Sequence, residues 1–389
     1  MSLSTPVKPT EIKEFAAASP CIYPQSNATG KTIREELDGL VHNKNKCAAF
    51  YLDTTEHERN PFKTEGEDHH QGLARTHKLT DGSVYFFLTH SEMDPGDKGK
   101  LMQFKYTGPL DNEHIITTNP HTVAKCTQYL YMEEQHPCDL VFLQDLNNAD
   151  AGYLFVTEQA VTHSVSVYFW EPGKDLVRIG VIELVDPYNN PNYIFLDRDG
   201  DYYYLGIIST KTVEKVKYIS QGFGIQKVIV HTGDSDRDQT EKGYLYRAKC
   251  DELFPVCEKG KLSVSAFKFY APGMFDYKLN GYFPCQVKLV RDVTKKWYLL
   301  AFRCDPDDYE TGTDYIDYRE IQFDPFRLGD IIGSVHIYLL PGNTSFASTG
   351  TCYVEKTGRL LVSSSYRWSN DEGPGSSSYV SRVDECPSV

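Results

Sequence analysis

The sequence predicts an all-β fold, and three observations carry that expectation. Tyr and Phe are abundant, 27 and 20 of 389 residues, and aromatic side chains pack well on pleated strands. From Cys47 onward, short apolar runs follow one another, each bounded by Gly, Pro, Asp or Asn, which is strand and turn chemistry. Helical periodicity stands out once, in KTIREELDGLVH, where Ile33, Leu37, Leu40 and Val41 fall on one face.

The elements follow in order. Residues 1–45 form an N-terminal extension carrying that short helix, and CAAFYL (47–52) is a strand with no neighbour to pair with locally. Then a hairpin recurs: a first strand, a short turn carrying Gly or charge, and a more apolar second strand. It appears as HQGLARTHKLTDGSVYFFLTH, DLVFLQDLNNADAGYLFVTEQ and NYIFLDRDGDYYYLGIIST. Two later copies are QVKLVRDVTKKWYLLAFRC and TCYVEKTGRLLVSSSYRW. A third strand follows several copies, as KLMQFKY does after His90 and SVSVYFW after Glu158. About 22 strands without intervening helices exclude parallel α/β folds.

Degenerate repeats of four-stranded antiparallel sheets resemble the blades of a β-propeller. The resemblance covers residues 46–389 and implies one propeller, closed by strand 47–52 beside the chain's last strand near Tyr379–Val383. The strand count falls between the roughly 20 of five blades and the roughly 24 of six. The long gap from Thr210 to Phe283 favours six, with five as the alternative. There is also a resemblance to the propeller proteins of fungal secondary-metabolite clusters of the trichothecene type, resting on the HHQG entry of an irregular single propeller. WD, kelch and asp-box signatures do not occur.

Composition narrows function. The net charge of −14 opposes nucleic acid, whose phosphates need clustered Lys and Arg, and no apolar run reaches membrane-spanning length. Ten cysteines and the sequons at Asn27 and Asn343 suit a secreted protein. Met1–Pro20 lacks the apolar stretch of a leader, so secreted and cytoplasmic locations both stand. Cys285 and Cys304 are expected to oppose each other across one hairpin at near-disulfide spacing. The run Asp197–Asp201 imitates half a calcium loop, but position twelve is Ile208, so it reads as a hairpin turn. No metal or cofactor motif appears, and none is expected.

Propeller geometry gathers the start of each first strand and the end of each second strand at one mouth of the central channel. That singles out His70, His90 and Glu158 as acid–base candidates, because His and Glu can move protons near neutral pH. His69, Gln71, Glu92, Tyr193, Arg303, Tyr366 and Arg367 would surround a substrate. Side chains differ from copy to copy, HQG becoming PCD and then PNY, which suits one asymmetric site on a monomer. The leading expectation is therefore an enzyme acting on a small organic molecule. A carbohydrate- or ligand-binding module of lectin type, or a glycoside hydrolase using two carboxylates such as Glu92 and Glu158, are the alternatives.

Overall fold

The computed structural model describes residues 28–42, 46–53, 69–91, 98–117, 122–132, 136–145, 148–159, 164–185, 189–221, 224–233, 240–255, 262–278, 286–304, 314–337, 349–368 and 380–388. Helix α1 (Ile33–His42) comes first, then strand β1 (Ala48–Asp53). Blade 1 is β2 (His69–Arg75), β3 (Val84–Ser91), β4 (Lys100–Tyr106) and β7 (Val123–Tyr131), with the two-residue strands β5 (Leu110–Asp111) and β6 (His114–Ile115) inserted before β7. Blade 2 is β8 (His136–Gln144), β9 (Gly152–Gln159), β10 (Ser164–Trp170) and β11 (Val177–Glu183). Blade 3 is β12 (Asn189–Asp199), β13 (Tyr202–Gln221), β15 (Thr240–Lys249) and β16 (Lys268–Lys278); β14 (Gly224–Gly233) pairs only with β13. Blade 4 is β17 (Gln286–Arg291), β18 (Trp297–Cys304), β19 (Asp314–Phe323) and β20 (Phe326–Ile337). Blade 5 is β21 (Thr349–Val354), β22 (Leu360–Trp368), β23 (Val380–Pro387) and, completing it, β1.

The first strands β2, β8, β12, β17 and β21 touch in that order, and β21 returns to β2. Among the described residues this closed ring has five first strands, which makes the fold a five-bladed β-propeller. The preference for six blades is thereby corrected. Beyond its blade, β13 continues into a ladder with β14, from Thr212 opposite Gly233 to Gln221 opposite Gly224. The described residues of the long gap extend β13, add β14 and supply the outer strands β15 and β16 of blade 3, instead of founding a new first strand.

Strand alternation sends successive side chains of a blade into opposite seams, and each of the five seams has its own apolar core. In blade 1, Phe86 and Leu88 pack with Phe50 and Val383 of blade 5, while Tyr85 and Phe87 pack with Leu154 and Trp170 of blade 2. Each such fully buried side chain contributes roughly 1.5–3 kcal/mol of transfer free energy. Hairpin turns supply the left-handed positions that Gly accepts without strain: Gly82 has φ 83° and Gly358 φ 86°. The Asp197–Asp201 run is such a turn, with Asp199 opposite Tyr202 and Gly200 at φ 58°.

Helix α1 starts with a capping box: the Thr32 N–H and hydroxyl both donate to the Glu35 carboxylate, at 2.9 and 2.7 Å. Its buried face, Ile33, Leu37 and Leu40, packs with Val290, Val354 and Leu360 in the seam of blades 4 and 5. Just before it, the Thr29 N–H donates to the Arg291 carbonyl and the Gly30 N–H to the Gly358 carbonyl. The helix therefore sits over the hairpin turns, on the face of the ring opposite the mouth.

β1 runs antiparallel to β23, from Ala48 opposite Glu385 to Leu52 opposite Ser381, so two distant chain segments share one blade. A disulfide between Cys47 and Cys386, 339 residues apart, fastens them. The other edge of β1 pairs in parallel with β7. In the blade 4 hairpin, Gln286 lies opposite Phe302, a slightly tighter register than the one expected for Cys285 and Cys304. Cys285 and the Cys304 side chain lie outside the described residues. Cys47→Ser is expected to lower stability by about 2–5 kcal/mol, because the bridge restricts a long loop in the unfolded chain. Urea denaturation with and without reductant measures this. Equal midpoints for the oxidised and reduced wild type would remove the bridge from the account.

Candidate functional site

The channel is built from the five first strands, and its polar side chains form three levels. At the entry level, His70 of β2 lies opposite His90 of β3, their ring centroids 5.8 Å apart. The His70 Nδ1 is 2.8 Å from the Ser365 Oγ of blade 5. Both histidines are fully buried. Beside them, the Gln71 Nε2 is 3.1 Å from the His136 Nε2, joining blades 1 and 2. The other nitrogen of that ring, Nδ1, is 3.4 Å from the Cys138 Sγ. With the Gln71 amide donating, the His136 proton sits on Nδ1 and points at the sulfur. Across the channel, the Gln286 Nε2 donates to the Gln71 carbonyl at 3.4 Å. The Gln286 Oε1 is buried with no partner among the described residues.

Threonines at the ends of second strands hold this level in place. The Thr89 hydroxyl accepts from the Gly72 N–H at 2.7 Å and donates to the Cys138 carbonyl at 2.5 Å. The Thr157 hydroxyl likewise accepts from the Asp139 N–H at 2.9 Å and lies 3.3 Å from the Asn192 carbonyl. Each ties its own hairpin to the next blade. In sequence the pair is visible as LTH and VTE.

The middle level is a strut. The Lys288 Nζ of blade 4 donates to the Asp139 Oδ1 of blade 2 at 2.6 Å and to the Leu140 carbonyl at 3.0 Å. The Ile194 N–H donates to the other Asp139 oxygen at 3.1 Å. Burial pushes the Asp139 carboxyl up to about 6, against the opposing pull of Lys288 and the backbone donors. Burial also raises the Cys138 thiol, helped by the Asp139 charge.

The far level is the most heavily bonded. Arg75 pairs with Glu385 and donates to the Glu113 carbonyl at 2.8 Å. The Tyr353 hydroxyl donates to the Glu113 carboxylate at 2.6 Å. Burial would raise Glu113, but the bonds from His77 and Tyr353 outweigh it and hold that carboxyl at about 2. Between the middle and far levels lies a cavity of about 50 Å³.

The structure brings together some of the sequence-derived candidates and separates others. His70, His90 and Gln71 share the entry level. Glu158 follows Leu154 and Val156 on the face of β9 that packs against blade 1, opposite Ser164 of β10. His90 follows Phe86 and Leu88 on the face of β3 that packs against blade 5. Strand alternation thus turns Glu158 towards blade 1 and His90 towards blade 5. Tyr193 packs among Phe195, Val287 and Leu289 in the apolar seam of blades 3 and 4, a core position. Arg303 forks onto Asp317 at 2.7 and 3.3 Å and reaches the Ser334 Oγ at 3.1 Å, all within blade 4. Glu92 and the side chains of His69, Tyr366 and Arg367 lie outside the described residues.

His136, Gln286 and Lys288 were not singled out by sequence. Lys288 left a signal: in VKLV it is the one charge amid the apolar positions of a first strand. His136 left a weaker one, directly before the PCD entry of blade 2.

Fold and site together define a class: a five-bladed β-propeller with one asymmetric polar channel. No family model matches the chain, and no curated protein matches it. Among solved structures it is similar to a GH43_1 enzyme from Xanthomonas citri, at 10% identity over 90% of this chain and 92% of that one, with a TM-score of 0.45. A B. megaterium levansucrase variant is similar at 10% identity over 80% and 81%, TM-score 0.45. CoXyl43, a GH43 β-xylosidase/α-arabinofuranosidase from a compost microbial metagenome, follows at 13% over 82% and 91%, TM-score 0.41. Likeness at this level carries no argument, and the propeller rests on the chain's own ring of five blades.

Proposed function

We propose that the entry level of the channel binds one small, neutral, hydroxylated molecule of carbohydrate type and acts on it by acid–base chemistry. The observation that carries this is the half-buried His136, held between the Gln71 amide and Cys138 at the start of a first strand. Imidazole is the side chain that both takes and gives a proton near neutral pH, and the Nε2 lone pair of this ring becomes available when a ligand displaces the Gln71 amide from it. The carboxamides of Gln71 and Gln286 offer both donors and acceptors to hydroxyl groups. The buried pair His70 and His90 lies behind them as a second acid–base reserve. The divergent blade entries favour one site over the repeated sites of a multivalent lectin.

The test is a screen of nitrophenyl glycosides and free sugars, reading hydrolysis and thermal shift. His136→Ala is expected to lower turnover by about 10²–10⁴-fold, the range for losing a proton-transfer group, with the melting temperature nearly unchanged. Gln286→Leu should raise KM more than it lowers kcat. Ligand binding that survives both substitutions unaltered would put the site elsewhere.

A further inference from the structure

The cavity beneath the strut is a separate chamber, its lining including Arg75, His77, Gln144, Lys288 and Tyr353. None of the entry-level groups belongs to it. Its charges are already balanced, Lys288 by Asp139 and Arg75 by Glu385. A further ion there would be buried without compensation, at high cost, so the chamber suits a neutral occupant. At about 50 Å³ it suits a very small one.

Two hydrogen-bonding positions remain open. The Gln144 side chain uses its amide N–H groups on the Ala149 and Ala151 carbonyls. Its Oε1 is buried with no partner among the described residues, so it calls for a donor such as a hydroxyl. An ammonium has three donors, and Lys288 uses two, on Asp139 and on the Leu140 carbonyl. The third position of the nitrogen, in a side chain that lines the chamber, is left for an acceptor such as a carbonyl oxygen.

We propose that this chamber takes a small neutral hydroxy-carbonyl compound and holds it as an imine of Lys288. Asp139, 2.6 Å from the nitrogen, first accepts a proton from the ammonium. The free amine pair then forms the C–N bond while the carbonyl π pair moves to oxygen, which takes the proton back from Asp139. The carbinolamine loses that oxygen as water when Asp139 relays a proton from nitrogen to it. The product is a protonated imine, R–CH=NH⁺–, facing the Asp139 carboxylate, so the charge balance of the strut is preserved. The ligand's hydroxyl donates to the Gln144 Oε1.

Glycolaldehyde, a two-carbon hydroxyaldehyde, is the probe, applied to the folded full chain with cyanoborohydride at near-neutral pH and followed by peptide mass spectrometry. Lys288 is expected to acquire one hydroxyethyl group at least about tenfold faster than the exposed Lys174 and Lys296. Gln144→Leu should slow this labelling about tenfold, the effect of one lost hydrogen bond of ordinary strength, without changing the labelling of Lys174. The proposal is overturned if wild-type Lys288 labels no faster than the two exposed lysines. It is equally overturned if Gln144→Leu labels at the wild-type rate, or if a crystal soaked with the aldehyde shows ordered water only in the chamber. Because the readout is on Lys288, failure here leaves the entry-level reading intact, and loss of His136 activity leaves this one intact.

Discussion

Glu241→Gln is expected to stabilise the protein by about 3 kcal/mol at pH 7 and by more at pH 8. Glu241 lies on β15 opposite Tyr277, in the seam of blades 3 and 4, and is 2% exposed. Neither of its carboxylate oxygens has a hydrogen-bond partner among the described residues. Arg319 stacks 4.4 Å over the Tyr277 ring and donates to the Lys278 carbonyl, yet it makes no bond to Glu241. Burial alone pushes the carboxyl from 4.5 up to about 8. The sign follows from linkage. An acid whose pKa is higher folded than unfolded favours folding in its protonated form. Its cost is absent below pH 4.5, grows between 4.5 and 8, and levels off above. Gln copies the neutral carboxyl in shape and polarity, so the gain over wild type should be small at pH 5 and largest at pH 8. Urea midpoints at those two pH values measure it. A gain independent of pH would show that ionisation of Glu241 is not the cause.

Lys288→Met is expected to cost about 3–5 kcal/mol, because it strands the buried Asp139 charge without its partner. Adding Asp139→Asn should recover most of that loss. The amide oxygen can still accept from the Ile194 N–H, which donates to Asp139 in the wild type, and no charge remains to be desolvated. The two residues lie on non-adjacent blades and are 149 residues apart in sequence, so their coupling is purely tertiary. A double-mutant cycle by denaturant unfolding reads it directly. Single costs that simply add would mean that the strut is two independent side chains.

Local patterns made much of the fold legible. The hairpin copies, the turn positions at Gly82, Gly200 and Gly358, and the amphipathic helix over Ile33–Leu40 all depend on residues close together in the chain. A strand's own alternation also told which side chains share a face. It could not tell which blade that face would meet. Glu158 and His90 occupy matching places at the ends of VTE and LTH, which made them look like partners. The ring sets one against blade 1 and the other against blade 5.

By itself, then, the sequence determined strands, turns, helix and the presence of a repeated four-stranded unit, because φ/ψ preference and hydrophobic periodicity act over a few residues. Only the tertiary structure decided the number of blades, since an elongated β13 and a sixth blade use the same residues in the gap after Thr210. It also decided the Cys47–Cys386 closure, the Asp139–Lys288 strut and the burial of Glu241. Each of these joins or isolates groups far apart in the chain. Their contact exists only once five seams of apolar side chains have packed and the ring has closed.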